Sequence, residues 1–216
     1  MEEYSSREKV LKNVRNAGIN QAECPYTDID FSLNVFKESA DTADVAFAKA
    51  FVAIAGKFVY CADEGEFVQS ISTFAKEYKW NNLHCFEPKI KDLLVKAEVP
   101  FSEDPKTLTE AVQGITFCEY LIARLGSIMV SSAQASGRRL IVYPDVHIVV
   151  AYSSQIVPDL TEALTKISEK YKENFPSLVS VISGPSRTAD IEKTLVMGAH
   201  GPRDLYLFLI DDFDQE

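Results

Sequence analysis

This sequence has no paired cysteines. Its four, Cys24, Cys61, Cys85 and Cys118, lie 37, 24 and 33 residues apart, with no CxxC pair among them. That spacing matches neither a zinc knuckle nor an iron–sulfur ligand run, and fits reduced thiols packed in strands of a cytoplasmic protein. Long apolar runs are missing too. The longest near the C-terminal end, Leu205 to Ile210, is six residues, against the roughly 20 that a membrane-spanning helix needs. The opening Met1-Glu2-Glu3 lacks the basic and apolar blocks of a secretory signal. Positive charge is in deficit: Lys+Arg 22 against Asp+Glu 32 gives −10, shared as −5 and −5 between residues 1–108 and 109–216. Such even acidity disfavours a nucleic-acid or anionic-membrane surface, so neither is expected among the partners. No Walker loop, GxGxxG, GxSxG or HExxH motif occurs.

What is present is an ordinary globular composition, 46% hydrophobic and 25% charged over 216 residues. It is enough for one α/β domain with its own core. Residues 5–17 read as a helix stopped by Gly18, and 19–40 as a polar, turn-rich wrap. Helical spacing returns at 42–55, at Phe67 to Tyr78, at Pro88 to Lys96, and after Pro158 as far as Tyr171. Strand candidates are Lys57–Cys61, Leu83–Phe86, Tyr120–Ala123, Ser127–Ser131, His147–Tyr152, Leu178–Ile182 and Leu205–Ile210. A short helix is expected over about 188–197. Strands alternating with helices predict an α/β fold of three layers, a mostly parallel sheet with helices on both faces. The expected domains are a 1–40 helical extension, a 41–211 core domain and a 212–216 acidic tail.

Two loops carry unusual chemistry. Ser131-Ser132-Ala133-Gln134-Ala135-Ser136-Gly137-Arg138-Arg139 follows a strand and offers hydroxyls, backbone N–H groups and two guanidiniums. It suits a small anion, a carboxylate or phosphate; the plainer reading is a solvated loop whose arginines pair locally. The second loop, Ser183 to Asp190, places Gly184, Ser186, Arg187 and Thr188 at the start of the expected short helix, with Asp190 and Glu192 in its first turns. Free N–H groups there would hold an anion beside Arg187, while the two acids offset the helix dipole. A straight helix would put His200 and Arg203 on the opposite side of the sheet from Arg187. Weaker candidates are Gly126, Ser127, Arg138, Arg139, His147 and His200. For His84, His147 and His200 alike, a packed or capping imidazole is the plainer role.

The stretch Ile182-Ser183-Gly184-Pro185-Ser186-Arg187-Thr188-Ala189-Asp190-Ile191-Glu192, continuing to Gly198-Ala199-His200-Gly201-Pro202-Arg203, closely resembles the signature of the LUD-domain family. Ala123-Arg124-Leu125-Gly126-Ser127, Pro144-Asp145-Val146-His147-Ile148 and Ile156-Val157 fit the same family, so the resemblance spans roughly residues 40–211. It implies a NagB/RpiA/CoA-transferase-like fold. It also implies a part in oxidising L-lactate to pyruvate beside iron–sulfur subunits, with no cofactor on this chain and the clusters in those partners. Many members carry an acid and a hydroxyl where this chain has Arg124 and Leu125. If that turn meets ligand, the reversed charge implies a different ligand or a scaffolding role. Two alternatives stay open. One is a stand-alone enzyme of this fold acting on a phosphorylated, CoA or folate-like molecule; the other is a non-catalytic module whose acidic surface meets a basic partner.

Overall fold

Asp204–Ile210 sends Tyr206, Phe208 and Ile210 into one core cluster and Leu205, Leu207 and Leu209 into another. A strand apolar on both faces belongs in the middle of a parallel sheet, and the computed structural model puts it there. The structure describes residues 5–19, 30, 40–191 and 194–213, and the chain divides into two bodies, 1–38 and 39–216.

In the first body, α1 (Ser6–Ile19) starts at a reciprocal cap: Ser5 N–H donates to Glu8 Oε2 at 2.8 Å and Glu8 N–H to Ser5 Oγ at 3.4 Å. It runs through Gly18 rather than stopping there. None of its residues is buried, Val10, Leu11 and Val14 included. The wrap expected over 19–40 lies almost wholly outside the described residues, as does the end of the acidic tail, 214–216.

The second body holds α2 (Ala43–Ala53), α3 (Glu64–Glu77), α4 (Pro88–Lys96) and α5 (Leu160–Lys170). Its strands are β1 (Lys57–Cys61), β2 (Leu83–Cys85), β3 (Phe101–Ser102), β4 (Gln113–Phe117), β5 (Tyr120–Ile122), β6 (Ser127–Ser131), β7 (Val146–Tyr152), β8 (Ile156–Val157), β9 (Val179–Ile182), β10 (Arg187–Ile191), β11 (Thr194–Met197) and β12 (Asp204–Ile210). Six strands form one parallel sheet in the order β1-β12-β7-β4-β2-β3. Four form a smaller mixed sheet, β8-β5-β6-β9. This is the expected α/β architecture on a mostly parallel central sheet.

Helices α3 and α4 cover one face through Phe67, Ile71, Ile90 and Leu94, packed on Ile115, Ile148, Val150 and Phe208. Asp63 caps α3 by accepting from Glu66 N–H at 2.7 Å, and Pro88 opens α4 where no N–H is needed. On the other face, Phe47 and Phe51 of α2 join Leu121, Ile128 and Val130 of the small sheet. The outer side of that small sheet is then covered by Ala163 and Ile167 of α5. The second face therefore carries α2 and a further sheet together, a division not visible in the strand spacing alone. No helix of the described residues is long and apolar enough to cross a membrane.

One expected element is different in kind. Arg187–Ile191 and Thr194–Met197 form an antiparallel hairpin, β10 with β11, pairing Arg187 with Met197 and Thr188 with Val196. None of the described residues in 188–197 is helical. β-branched residues at 188, 191, 194 and 196 favour extended backbone, and both ends of the segment are tied together at its base.

Candidate functional site

That tie is Ser186. Its N–H donates to the Pro202 carbonyl at 2.8 Å, its own carbonyl accepts from Gly198 N–H at 2.9 Å, and its Oγ accepts from His200 N–H at 3.4 Å. The hairpin thus returns the chain to its starting point. His200 sits beside Ser186 and next to the Arg187 strand, so the expectation that they lie on opposite sides of the sheet is overturned. No helix starts at 186–188, so the free N–H groups expected from a helix terminus there are not supplied. Thr188 pairs with Val196, Asp190 lies on β10, and Glu192 falls outside the described residues.

The rest of this signature grips the end of α2. Arg187 donates to the Ile54 carbonyl. Gly184, at φ +79°, passes so close that an added Cβ would lie 2.4 Å from that same oxygen. Gly126, at φ +58°, would place a Cβ 2.3 Å from Phe51 N, so only glycine fits this left-handed turn against the helix. Buried Ser127 shares a 2.8 Å hydrogen bond with Ser183 and so joins the two turns. Ile54 precedes β1, and Asp145, whose carbonyl accepts from Arg203 N–H at 2.7 Å, precedes β7. The signature therefore clusters at the amino edge of the parallel sheet, where it clamps backbone to backbone.

The first loop lies at the opposite, carboxyl edge. Ligands of open α/β sheets bind at this edge, where neighbouring strands send their connections to opposite faces. Here β2 leads into α4 on one face while β4 leads into the small sheet on the other. Two residues beyond the end of each of these strands lies a buried carboxylate, Glu87 and Glu119 respectively. Ser136 donates to Glu87 Oε1 from its N–H at 3.1 Å and its Oγ at 2.9 Å. Glu119, 2% exposed, accepts from Ser131 Oγ at 2.5 Å, Lys170 Nζ at 2.8 Å and Tyr171 Oη at 3.0 Å. Burial, reinforced by this carboxylate, raises the Tyr171 phenol above its usual range. Two loop hydroxyls thus serve internal acids. Arg138, exposed, donates to Ser177 Oγ; Arg139 is exposed beside it.

Further along this edge a cleft of about 470 Å³ is lined by Asp63, Glu64, Gly65, Tyr152, Ile210, Asp211 and Asp212. Lys89 and the Tyr152 hydroxyl both donate to Glu64 at 2.8 Å and hold its carboxyl below the usual range. Asp211 is lowered in turn, first by the Tyr60 hydroxyl and then by Phe213 N–H. Its acids make this cleft an acceptor surface, unsuited to an anion.

His147 is wholly buried, its Nε2 on Thr116 Oγ1 at 2.9 Å and its Nδ1 without a partner. It cannot reach a ligand arriving from solvent. Cys61, Cys85 and Cys118 are buried, and burial lifts the first two thiols to about 11 and about 12 and the third further. They pack as thiols rather than react. Sequence reasoning missed Glu87, Glu119, Lys170 and Tyr171. The one usable signal was position, since both acids lie two residues beyond strands at the edge where connections diverge.

The family model described as the LUD domain matches residues 47–210. "Lactate utilization protein C 1" of Bacillus mycoides is 38% identical over 112 residues, 51% of this chain and 48% of that protein. "Lactate utilization protein C" of Halalkalibacterium halodurans is 29% identical over 158 residues, covering 67% and 69%. "Uncharacterized protein YkgG" of Escherichia coli is 33% identical over 113 residues, covering 51% and 49%. The chain spans about half the length of the Bacillus and Escherichia relatives. Among solved structures, a DUF162 family protein from Deinococcus radiodurans superposes with a TM-score of 0.57 at 20% identity, covering 78% of this chain and 96% of that one. That likeness concerns the fold alone.

Proposed function

The chain belongs to the LUD-domain family, and from that premise we propose that it serves lactate utilisation. It acts as a subunit supporting the oxidation of L-lactate to pyruvate, with electrons passed to iron–sulfur partner proteins. The observation that carries the reading is the family match over 47–210, together with relatives named for lactate utilisation. Three cysteines packed as neutral thiols are compatible with a division of labour in which partners hold the clusters. On this chain a small anion, carboxylate or phosphate, is the ligand class. The acidic background suits it only where cations collect, and residues 115–158 hold three arginines against two acids.

The test is L-lactate-dependent dye reduction by the chain alone, by candidate iron–sulfur subunits alone, and by the mixture. Turnover confined to the mixture supports the subunit reading. Equal turnover by the partners without this chain overturns it, and turnover by this chain alone replaces it with a stand-alone enzyme.

A further inference from the structure

The two outermost strands of the central sheet are finished differently. On one side β3 is two residues long and leads into Glu103-Asp104-Pro105, a short, charged, proline-stopped edge that offers a further strand no template. On the other side β1 pairs with β12 over all five of its residues without a bulge, and it contains no proline. Its single charge, Lys57, is turned away from the edge, onto Asp204 Oδ1 at 2.7 Å and Tyr206 Oη at 3.0 Å on β12. Among the described residues no strand pairs with the outer side of β1. The Cys61 carbonyl accepts from Asp211 N–H at 2.9 Å, so the odd-numbered residues of β1 bond toward β12 and the N–H and C=O of Phe58 and Tyr60 face outward. These backbone groups lie among half-buried Phe58 and Val59 and a Tyr60 that is 49% exposed.

We propose that β1 is a dimer interface, on which a second copy of this chain lays its own β1 antiparallel. A two-fold axis through Val59 sets Phe58 opposite Tyr60 of the second copy, and each such pair exchanges two N–H···O=C bonds. All the outward backbone groups of Phe58 and Tyr60 are then satisfied, and two Phe–Tyr cross-strand pairs form on one face of the joined sheet. Charge favours the same arrangement. At the amino end of β1 and β12 stand Lys57, Arg187 and Arg203 against Asp204. At their carboxyl end stand Asp63, Glu64, Glu66, Asp211 and Asp212 against Lys89. Antiparallel addition lays the basic end of each copy beside the acidic end of the other, twice over. The inference is independent of the lactate reading.

The experiment is sedimentation equilibrium and amide hydrogen exchange of the full chain, each from low micromolar to high micromolar concentration. The expected result is a monomer–dimer equilibrium in which protection of the Phe58 and Tyr60 amides rises with the dimer fraction. Tyr60→Pro removes one outward N–H and no bond to β12, a change that an open edge tolerates. It should weaken the dimer about a hundred-fold, while the melting temperature and the fluorescence of buried Trp80, the only tryptophan, stay close to wild type. Tyr60→Phe, which keeps the N–H, should leave the dimer intact. A chain that stays monomeric throughout overturns the proposal. Protection of these amides that does not depend on concentration also overturns it, since the edge would then be covered within one chain. A dimer in which they exchange freely, or one that folded Tyr60→Pro leaves intact, overturns it as well. Should Tyr60→Pro unfold, the concentration dependence in the wild-type chain decides alone.

Discussion

Lowering the pH should destabilise this protein first through His147. The ring is wholly buried on β7, and burial pushes its pKa down from 6.5 to about 4. Its Nε2 meets Thr116 Oγ1 at 2.9 Å, and Nδ1 has no acceptor to receive a second proton. An unfolded chain binds that proton near pH 6.5, whereas the folded chain refuses it until about 4. Between those values the unfolded state holds more protons, so stability falls as the pH falls, with nothing lost above the upper limit. The slope approaches about 1.4 kcal/mol per pH unit. From pH 7 to 4.5 the loss sums to about 2.5 kcal/mol, a large fraction of the roughly 5–15 kcal/mol typical of a domain. Glu64 and Asp211, whose carboxyls are held low, lose their contribution at more acid pH, from the usual carboxylate range downward.

The assay is urea unfolding at several pH values from 7 to 4.5, for wild type and for His147→Gln. Glutamine can still hydrogen-bond Thr116 and does not titrate. The wild type should lose about 2.5 kcal/mol more than the variant over this range. A ring that titrates near 6.5 in the folded protein by NMR, or parallel pH slopes for both proteins, would refute the reasoning.

Gly126→Ala should cost about 2–4 kcal/mol in urea unfolding, because the turn is left-handed and the new Cβ would press on Phe51 N, 2.3 Å away. Arg187→Ala should cost about 1 kcal/mol of stability in urea unfolding, from the lost bond to Ile54. Lys170→Met should cost about 2–3 kcal/mol by leaving buried Glu119 without its cation, and adding Glu119→Gln should recover most of that loss. A double variant no more stable than Lys170→Met alone would contradict this account.

The elements legible in the sequence are those whose pattern is local. Phe67, Ile71 and Ala75 recur at helical spacing and are buried as one face of α3. The unbroken apolar runs of β7 and β12 read directly as central strands. Strand β4, also central, was hidden because Gln113 and Gly114 interrupt its apolar character. Gly114 is required there, since Leu140 and Pro144 fill the space a side chain would take. The β10–β11 hairpin was misread for a different reason. Asp190, Glu192 and Lys193 between two glycine–proline turns look like a capped helix. What decides the conformation is the Ser186 tie to Gly198, His200 and Pro202, which closes both ends of the segment on one point. Glu87 and Glu119 were invisible as site residues because their partners, Ser136 and Lys170, lie 49 and 51 residues away.

Signature and candidate ligand site occupy opposite edges of one sheet, and that separation settles how to weigh the departure at Arg124 and Leu125. Both residues are exposed on the turn before Gly126. The turn is held through its backbone: Arg124 N–H donates to the Pro158 carbonyl at 3.1 Å, and Gly126 lies against the α2 main chain. Gly126 therefore cannot change without loosening that clamp. Replacing an acid by Arg124 alters the charge of the amino edge, while Arg138, Ser132 and Ser177 stand at the carboxyl edge. A partner protein that touches the amino edge is what such a reversal would affect.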